Sequence, residues 1–191
     1  MKILLCMEDP RIPTGYGKIC RQASENLTKR GHTVYSLAFN NTAPNLSVVN
    51  FQWGTVLPNI SLSKNKELLF GDKDIIENAF KEFSIDSIIF CNDTHRFAYI
   101  KELPKNILSQ SWFWHVCEAD TYDWLGIDIF NRIKGAVFAT KFTENYNKVF
   151  GGVINKNYVR QKANEIGSVF FHPADHFAFC SGRPGSCASG G

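Results

Sequence analysis

No stretch of these 191 residues contains the about 20 consecutive apolar positions that a membrane-spanning helix requires. The N-terminal apolar run from Ile3 to Met7 stops at Glu8, Asp9 and Pro10, too short for a signal-peptide core and without a small-residue cleavage site, so export is not expected. The six cysteines (Cys6, Cys20, Cys91, Cys117, Cys180 and Cys187) form no CxxC pair and lie too far apart for a disulfide scaffold. They are expected as reduced thiols in the cytoplasm. Zinc ligation would need two close pairs of Cys or His, and His115 with Cys117 or His172 with His176 each lack the second, so no metal is expected. A net charge of +3 with no concentrated Lys and Arg argues against nucleic acid as a partner. No Gly-Lys-Ser or Gly-Lys-Thr occurs, which excludes a P-loop.

What the sequence has is core material: 44% of residues are apolar and 14% aromatic, enough for one globular domain with its own interior. Its expected extent is residues 1–180, followed by a flexible small-residue tail at 181–191 that can bury too little to offset its ordering entropy.

Lys2 to Met7 has the composition of a buried first strand. Ile19, Ala23 and Leu27 then recur at helical spacing, with Lys29 and Arg30 at the carbonyl end and Gly31 as the left-handed cap. Thr33 to Phe39 supplies a second strand, parallel to the first. The polar stretch from Asn40 to Lys66 contains two short strand candidates, Val48 to Trp53 and Val56–Leu57. Asp74 is the expected cap of a helix whose stripe is Ile75, Ile76, Ala79, Phe80 and Phe83, and Ser87 to Cys91 is the next strand. Further along, Ile107 to Trp114 reads as a strand, Ile127 to Ile133 as a short helix, Ala136 to Ala139 as a strand and Thr143 to Phe150 as a helix closed by Gly151. The alternation predicts a three-layer α/β sandwich, Rossmann-like, around a mainly parallel sheet.

Such sheets bind ligands beyond the carboxyl ends of their strands, so the loops there are the places for chemistry. In the first, Gly15, Tyr16 and Gly17 open a helix, and Lys18 and Arg21 occupy its first turns, where a cation opposes the helix dipole unless an anion is bound. A solvated helix face behind a tight turn accounts for the same residues. A dinucleotide fingerprint would need a glycine where Cys20 stands and an acid at the end of the second strand, where Asn40 and Asn41 stand, so NAD is disfavoured. In the second loop Asn92, Asp93, Thr94, His95 and Arg96 crowd polar groups at a strand end, as a site or as a helix cap. The third, Trp114 to Trp124, mixes rings with acids in a way that suits sugar rings: Trp114, Asp120 and Tyr122 could hold a ligand, and His115 and Glu118 could move a proton. Trp112 and Trp114 serve equally as core, and one of them is expected to face the cleft. In the fourth, Thr140 and Lys141 open a helix, where a hydroxyl is commonly a cap.

Three motifs in order resemble the N-terminal domain of group 1, retaining GT-B glycosyltransferases. They are the strand followed by Pro13-Thr14-Gly15-Tyr16-Gly17, the segment Arg30-Gly31-His32-Thr33-Val34 before the second strand, and Val137 to Phe142 with Gly167 to Pro173 downstream. The resemblance implies one half of a GT-B fold, the acceptor side, completed by a C-terminal domain that holds the nucleotide-sugar donor. It implies hexosyltransferase-like transfer to a carbohydrate, lipid or protein acceptor, with no cofactor beyond the nucleotide-sugar substrate, and no turnover by this half alone. Gly15, Tyr16, Gly17, Lys18 and Arg21 would then lie at the donor phosphates. His115 and Glu118 would be catalytic, and Asp93, His95, Arg96, Trp114, Asp120, Tyr122, Thr140 and Lys141 would hold the acceptor or sugar. The competing expectation is a non-catalytic module that binds a carbohydrate or phosphorylated ligand.

Overall fold

The first strand, β1 (Lys2–Cys6), is apolar on both faces because both faces are covered. Ile3, Leu5 and Met7 pack on one side with Cys20, Ala23 and Leu27. Leu4 and Cys6 pack on the other with Ile76, Phe90 and Phe113. The computed structural model describes residues 1–41, 47–59, 69–115, 128–130 and 132–138, with only the backbone given for 137 and 138. The expected helix over 143–150, the segment at 167–173 and the tail lie outside these residues.

After β1 come α1 (Gly15–Lys29), β2 (Thr33–Leu37), β3 (Val49–Phe51), β4 (Gly54–Leu57), α2 (Lys73–Glu82) and β5 (Ser87–Cys91). A 3-10 segment (Thr94–Glu102), α3 (Lys105–Leu108), β6 (Ser111–His115) and β7 (Gly135–Phe138) complete the described chain. Among the described residues the sheet has seven strands in the order β3-β4-β2-β1-β5-β6-β7. All neighbouring pairs run parallel except β3 with β4. The parallel strands alone, numbered as they occur in the chain, therefore stand in the order 3-2-1-4-5-6, that of a Rossmann-like sheet, with its reversal point between β1 and β5.

α1 forms where it was expected, burying Ala23 and Leu27 as foreseen, with Cys20 in place of the partly buried Ile19, and it ends as expected too: Gly31 has φ 83° and its N–H donates to the Thr28 carbonyl at 2.9 Å. Ser24, facing the sheet from the same stripe, is buried but satisfied, its hydroxyl donating to the Cys20 carbonyl at 2.8 Å. α2 covers the opposite face with Ile76 and Ala79.

Two expected boundaries are corrected. The cap of α2 is Asp72, whose Oδ1 accepts the Ile75 N–H at 2.9 Å, while Asp74 lies two residues further on, in the first turn, and meets the positive end of the helix. The segment from Ile107 to Trp114 is not one strand. Ile107 and Leu108 belong to a helical turn started by Pro104, whose carbonyl accepts both their N–H groups at 3.0 Å, and the strand begins only at Ser111. Among the described residues no helix is long and apolar enough to cross a membrane.

Candidate functional site

At the reversal point of the sheet the loops after β1 and β5 stand side by side. β1 runs directly into Glu8 and Asp9, two acids buried at the sheet's carboxyl edge. The backbone holds them there: Glu8 bridges to Phe39, and the Asp9 N–H donates to the Phe39 carbonyl at 2.8 Å.

Each carboxylate is hydrogen-bonded, as burial demands. Arg11 donates to Asp9 through Nε, at 2.9 and 3.0 Å from its two oxygens, and through Nη2 at 2.5 Å. The Arg11 amide and Asn41 Nδ2 add bonds of 2.8 and 2.6 Å. Burial pushes the Asp9 carboxyl up, but these donors, Arg11 foremost, outweigh it and hold the group below its ordinary value. Glu8 accepts from Asn40 Nδ2 at 3.0 Å and from the Thr14 hydroxyl. Asn40 reaches it from a left-handed backbone conformation, φ 56°, which asparagine adopts more readily than most residues.

Thr14 is also the cap of α1, its Oγ1 accepting the Gly17 N–H at 3.0 Å. This changes the meaning of the paired glycines. The Gly17 amide, expected to face an anion, is spent on the cap, and the Lys18 N–H is spent on the Thr14 carbonyl at 3.0 Å. Gly17 is required because a Cβ there would meet the Ile12 carbonyl oxygen at 2.5 Å and the Asp9 carbonyl oxygen at 2.9 Å. The close approach that this glycine permits is thus of the loop to its own helix. Gly15, by contrast, is exposed and faces open space.

Tyr16 spans the reversal point, its hydroxyl 3.5 Å from Asp93 Oδ1, at the outer limit of a hydrogen bond. Beside Asp93, Asn92 is 2% exposed. Its Oδ1 accepts the Asp93 N–H at 2.8 Å, which fixes the amide's orientation, and its buried Nδ2 has no hydrogen-bond partner among the described residues. A buried donor left in that state costs about 1–3 kcal/mol.

The other expected site residues are placed elsewhere. Arg21 is turned from the crevice: its guanidinium lies over the Trp53 ring, 4.2 Å from the centroid, and its Nε donates to Glu25 at 2.6 Å. Lys18 is exposed on the first turn of α1. His95 is exposed, and Arg96 leans on the Phe70 ring at 4.7 Å. His115 stands at the carboxyl end of β6, one register step beyond the Cys91 and Trp114 pair and hence level with Asn92. It is buried, with the Phe130 ring at 5.1 Å and the Phe113 ring at 6.3 Å. The expectation that Trp112 or Trp114 faces the cleft is corrected. Two residues apart on one strand, both indoles point to the face that α1 covers, and both are core. Glu118, Asp120, Tyr122, Thr140 and Lys141 lie outside the described residues.

Sequence reasoning missed Glu8, Asp9, Arg11, Asn40 and Asn41 as one unit. The available signal was the abrupt change from five apolar residues to two acids at the end of a strand. Among the described residues no three His, Cys, Asp or Glu converge as a metal site. No family model and no curated protein matches this chain.

Proposed function

We propose that this chain is the acceptor-side domain of a nucleotide-sugar-dependent glycosyltransferase, and that the crevice between β1 and β5 takes a neutral, hydroxyl-bearing ligand. One observation carries the reading: Tyr16 and Asp93 meet across the reversal point of a Rossmann-like sheet, beside the unsatisfied amide of Asn92. A sugar hydroxyl both donates and accepts, so it can donate to the Asp93 carboxylate and accept from Asn92 Nδ2. With Asp9 balanced by Arg11, Glu8 and Asp93 leave this edge negative, which favours a neutral ligand over a phosphate.

The donor's phosphates are then assigned to the outer side of the first turn of α1, at Gly15 and Lys18, with the remaining contacts supplied by a second domain. A sugar-phosphate bond breaks with negative charge building on the leaving diphosphate, and a cation held near it lowers the barrier. Asp93 orients the acceptor hydroxyl and accepts its hydrogen bond. A second reading, a carbohydrate-binding module without turnover, is favoured by the Gly17 amide, which is occupied inside the protein and is not offered to a phosphate.

The test is ligand titration of the isotope-labelled chain followed by NMR. Neutral monosaccharides should shift the amides of Tyr16, Asn92 and Asp93, and Asp93→Ala should abolish the effect while the other resonances persist. Silence of those amides toward a monosaccharide panel defeats both readings. Release of nucleoside diphosphate from a nucleotide sugar by a longer chain with a donor domain separates the enzyme from the module.

A further inference from the structure

A groove of about 360 Å³ lies on the far side of the sheet from α1, between α2 and the carboxyl ends of β2 and β4. Its volume is in the range of ligand and peptide-anchor pockets. The floor is apolar, made by Leu37, Leu57, Pro58, Ala79 and Phe83, with Val48 exposed at the rim. Phe83 is fixed by the Tyr35 ring, 4.8 Å away. None of this belongs to the crevice at β1 and β5.

The polar part of the lining has one sign. Asp72 and Asp74 stand at the amino end of α2 and Glu82 at its carboxyl end, and no Lys or Arg lines the groove among the described residues. The cations nearby do not enter the lining: Lys2 donates from Nζ to the Phe83 carbonyl at 3.0 Å, Lys81 pairs with Glu77 at 3.8 Å, and Lys73 is exposed at the first position of α2. Asp74 and Glu82 are eight positions apart on one helix, about 12 Å along its axis at 1.5 Å per residue.

We infer that this groove is a docking site for a cationic amphipathic segment of another protein. Such a segment seats an apolar side chain between Leu57 and Phe83 and places basic side chains about 12 Å apart over the two acidic ends of α2. The choice of occupant follows from the charge: a neutral segment would fill the same floor without using the exposed carboxylates of Asp74 and Glu82, and an acidic one would be repelled by them. The attraction is between exposed groups, so it weakens with salt.

The experiment compares two acetylated peptides, one built on an LKKL repeat and the other on LEEL, by NMR titration of the labelled full chain. The lysine peptide is expected to shift the amides of α2 and β4, with the response falling as salt is raised, and the glutamate peptide is expected to bind about tenfold more weakly or not at all. The variant Asp74→Lys with Glu82→Lys, both at exposed positions, should weaken the lysine peptide about tenfold, and Asn78→Trp should block the groove sterically. Equal binding of the two peptides overturns the inference. So does unchanged affinity in the charge-reversed chain, or resonance shifts confined to residues outside α2 and β4.

Discussion

The Arg11 guanidinium straddles the Asp9 carboxylate, its Nε within 3.0 Å of both oxygens, at a point where Asp9 is wholly buried and Arg11 is partly open to solvent. The pair fastens the loop after β1 and so sets the direction in which α1 leaves the sheet. Replacing Arg11 by Met keeps the stem of the side chain but strands a buried carboxylate, and should destabilise the fold by about 3 kcal/mol. Urea unfolding at neutral pH measures it.

The same pair gives acid sensitivity. The folded-state value of Asp9 lies below its ordinary one, so its contribution is complete above the unfolded value of about 3.9 and is lost as pH falls through the folded value. In Asp9→Asn the fold should be weaker at neutral pH and should lose less stability on acidification. Denaturation midpoints from pH 7 to pH 3 for the two proteins should converge toward the acid end.

Thr14 serves two partners with one oxygen, accepting from Gly17 and donating to Glu8. Thr14→Ala removes the cap and one of the two donors on a buried acid, an expected loss of about 2 kcal/mol, whereas Thr14→Ser retains both bonds and should stay within about 0.5 kcal/mol of the parent. Thermal melts of the three proteins distinguish a hydroxyl requirement from a methyl-packing one.

The two glycines of this loop should respond oppositely. Gly17→Ala drives a methyl group into two backbone carbonyls and should cost about 1–3 kcal/mol, since backbone cannot swing aside as a side chain can. Gly15→Ala meets open space and should be neutral or stabilising by up to about 1 kcal/mol, through reduced freedom of the unfolded chain. Equal destabilisation by both substitutions would contradict the packing described.

Burial pushes the thiols of Cys6 and Cys91 far up and that of Cys20 to about 12. With almost no thiolate at pH 8, all three should resist iodoacetamide in the folded protein and react once it is unfolded. Peptide mapping by mass spectrometry reads each site separately.

The unit from β1 to β2 was legible because each of its signals is local: an apolar run, a helical stripe, a terminal glycine at Gly31. The stretch before β6 was not, because Ile107, Leu108, Trp112 and Trp114 are all buried, and a short apolar pair such as Ile107 and Leu108 has the same look whether it belongs to a helical turn or to a strand. The positions of Asp93 and Tyr16 were legible, since the β/α alternation puts the turn after β5 and the start of α1 at the carboxyl ends of neighbouring strands. The polar crevice was illegible where Asn40 meets Glu8 and Asn41 meets Asp9, pairs that each span 32 positions and exist only because β1 and β2 are neighbours. Arg21 misled for a related reason: its partner Trp53 comes from the turn between β3 and β4, and no local pattern announces that contact.

That turn has an effect on how the molecule keeps to itself. β3 is three residues long and runs opposite to its neighbour, so among the described residues the margin of the sheet on this side ends in a stub. A long, flat border would offer a template on which foreign chains could stack into fibrils, and a reversed stub offers them little to grip. Extending β3 with further alternating apolar residues would convert a dead end into a seed for aggregation.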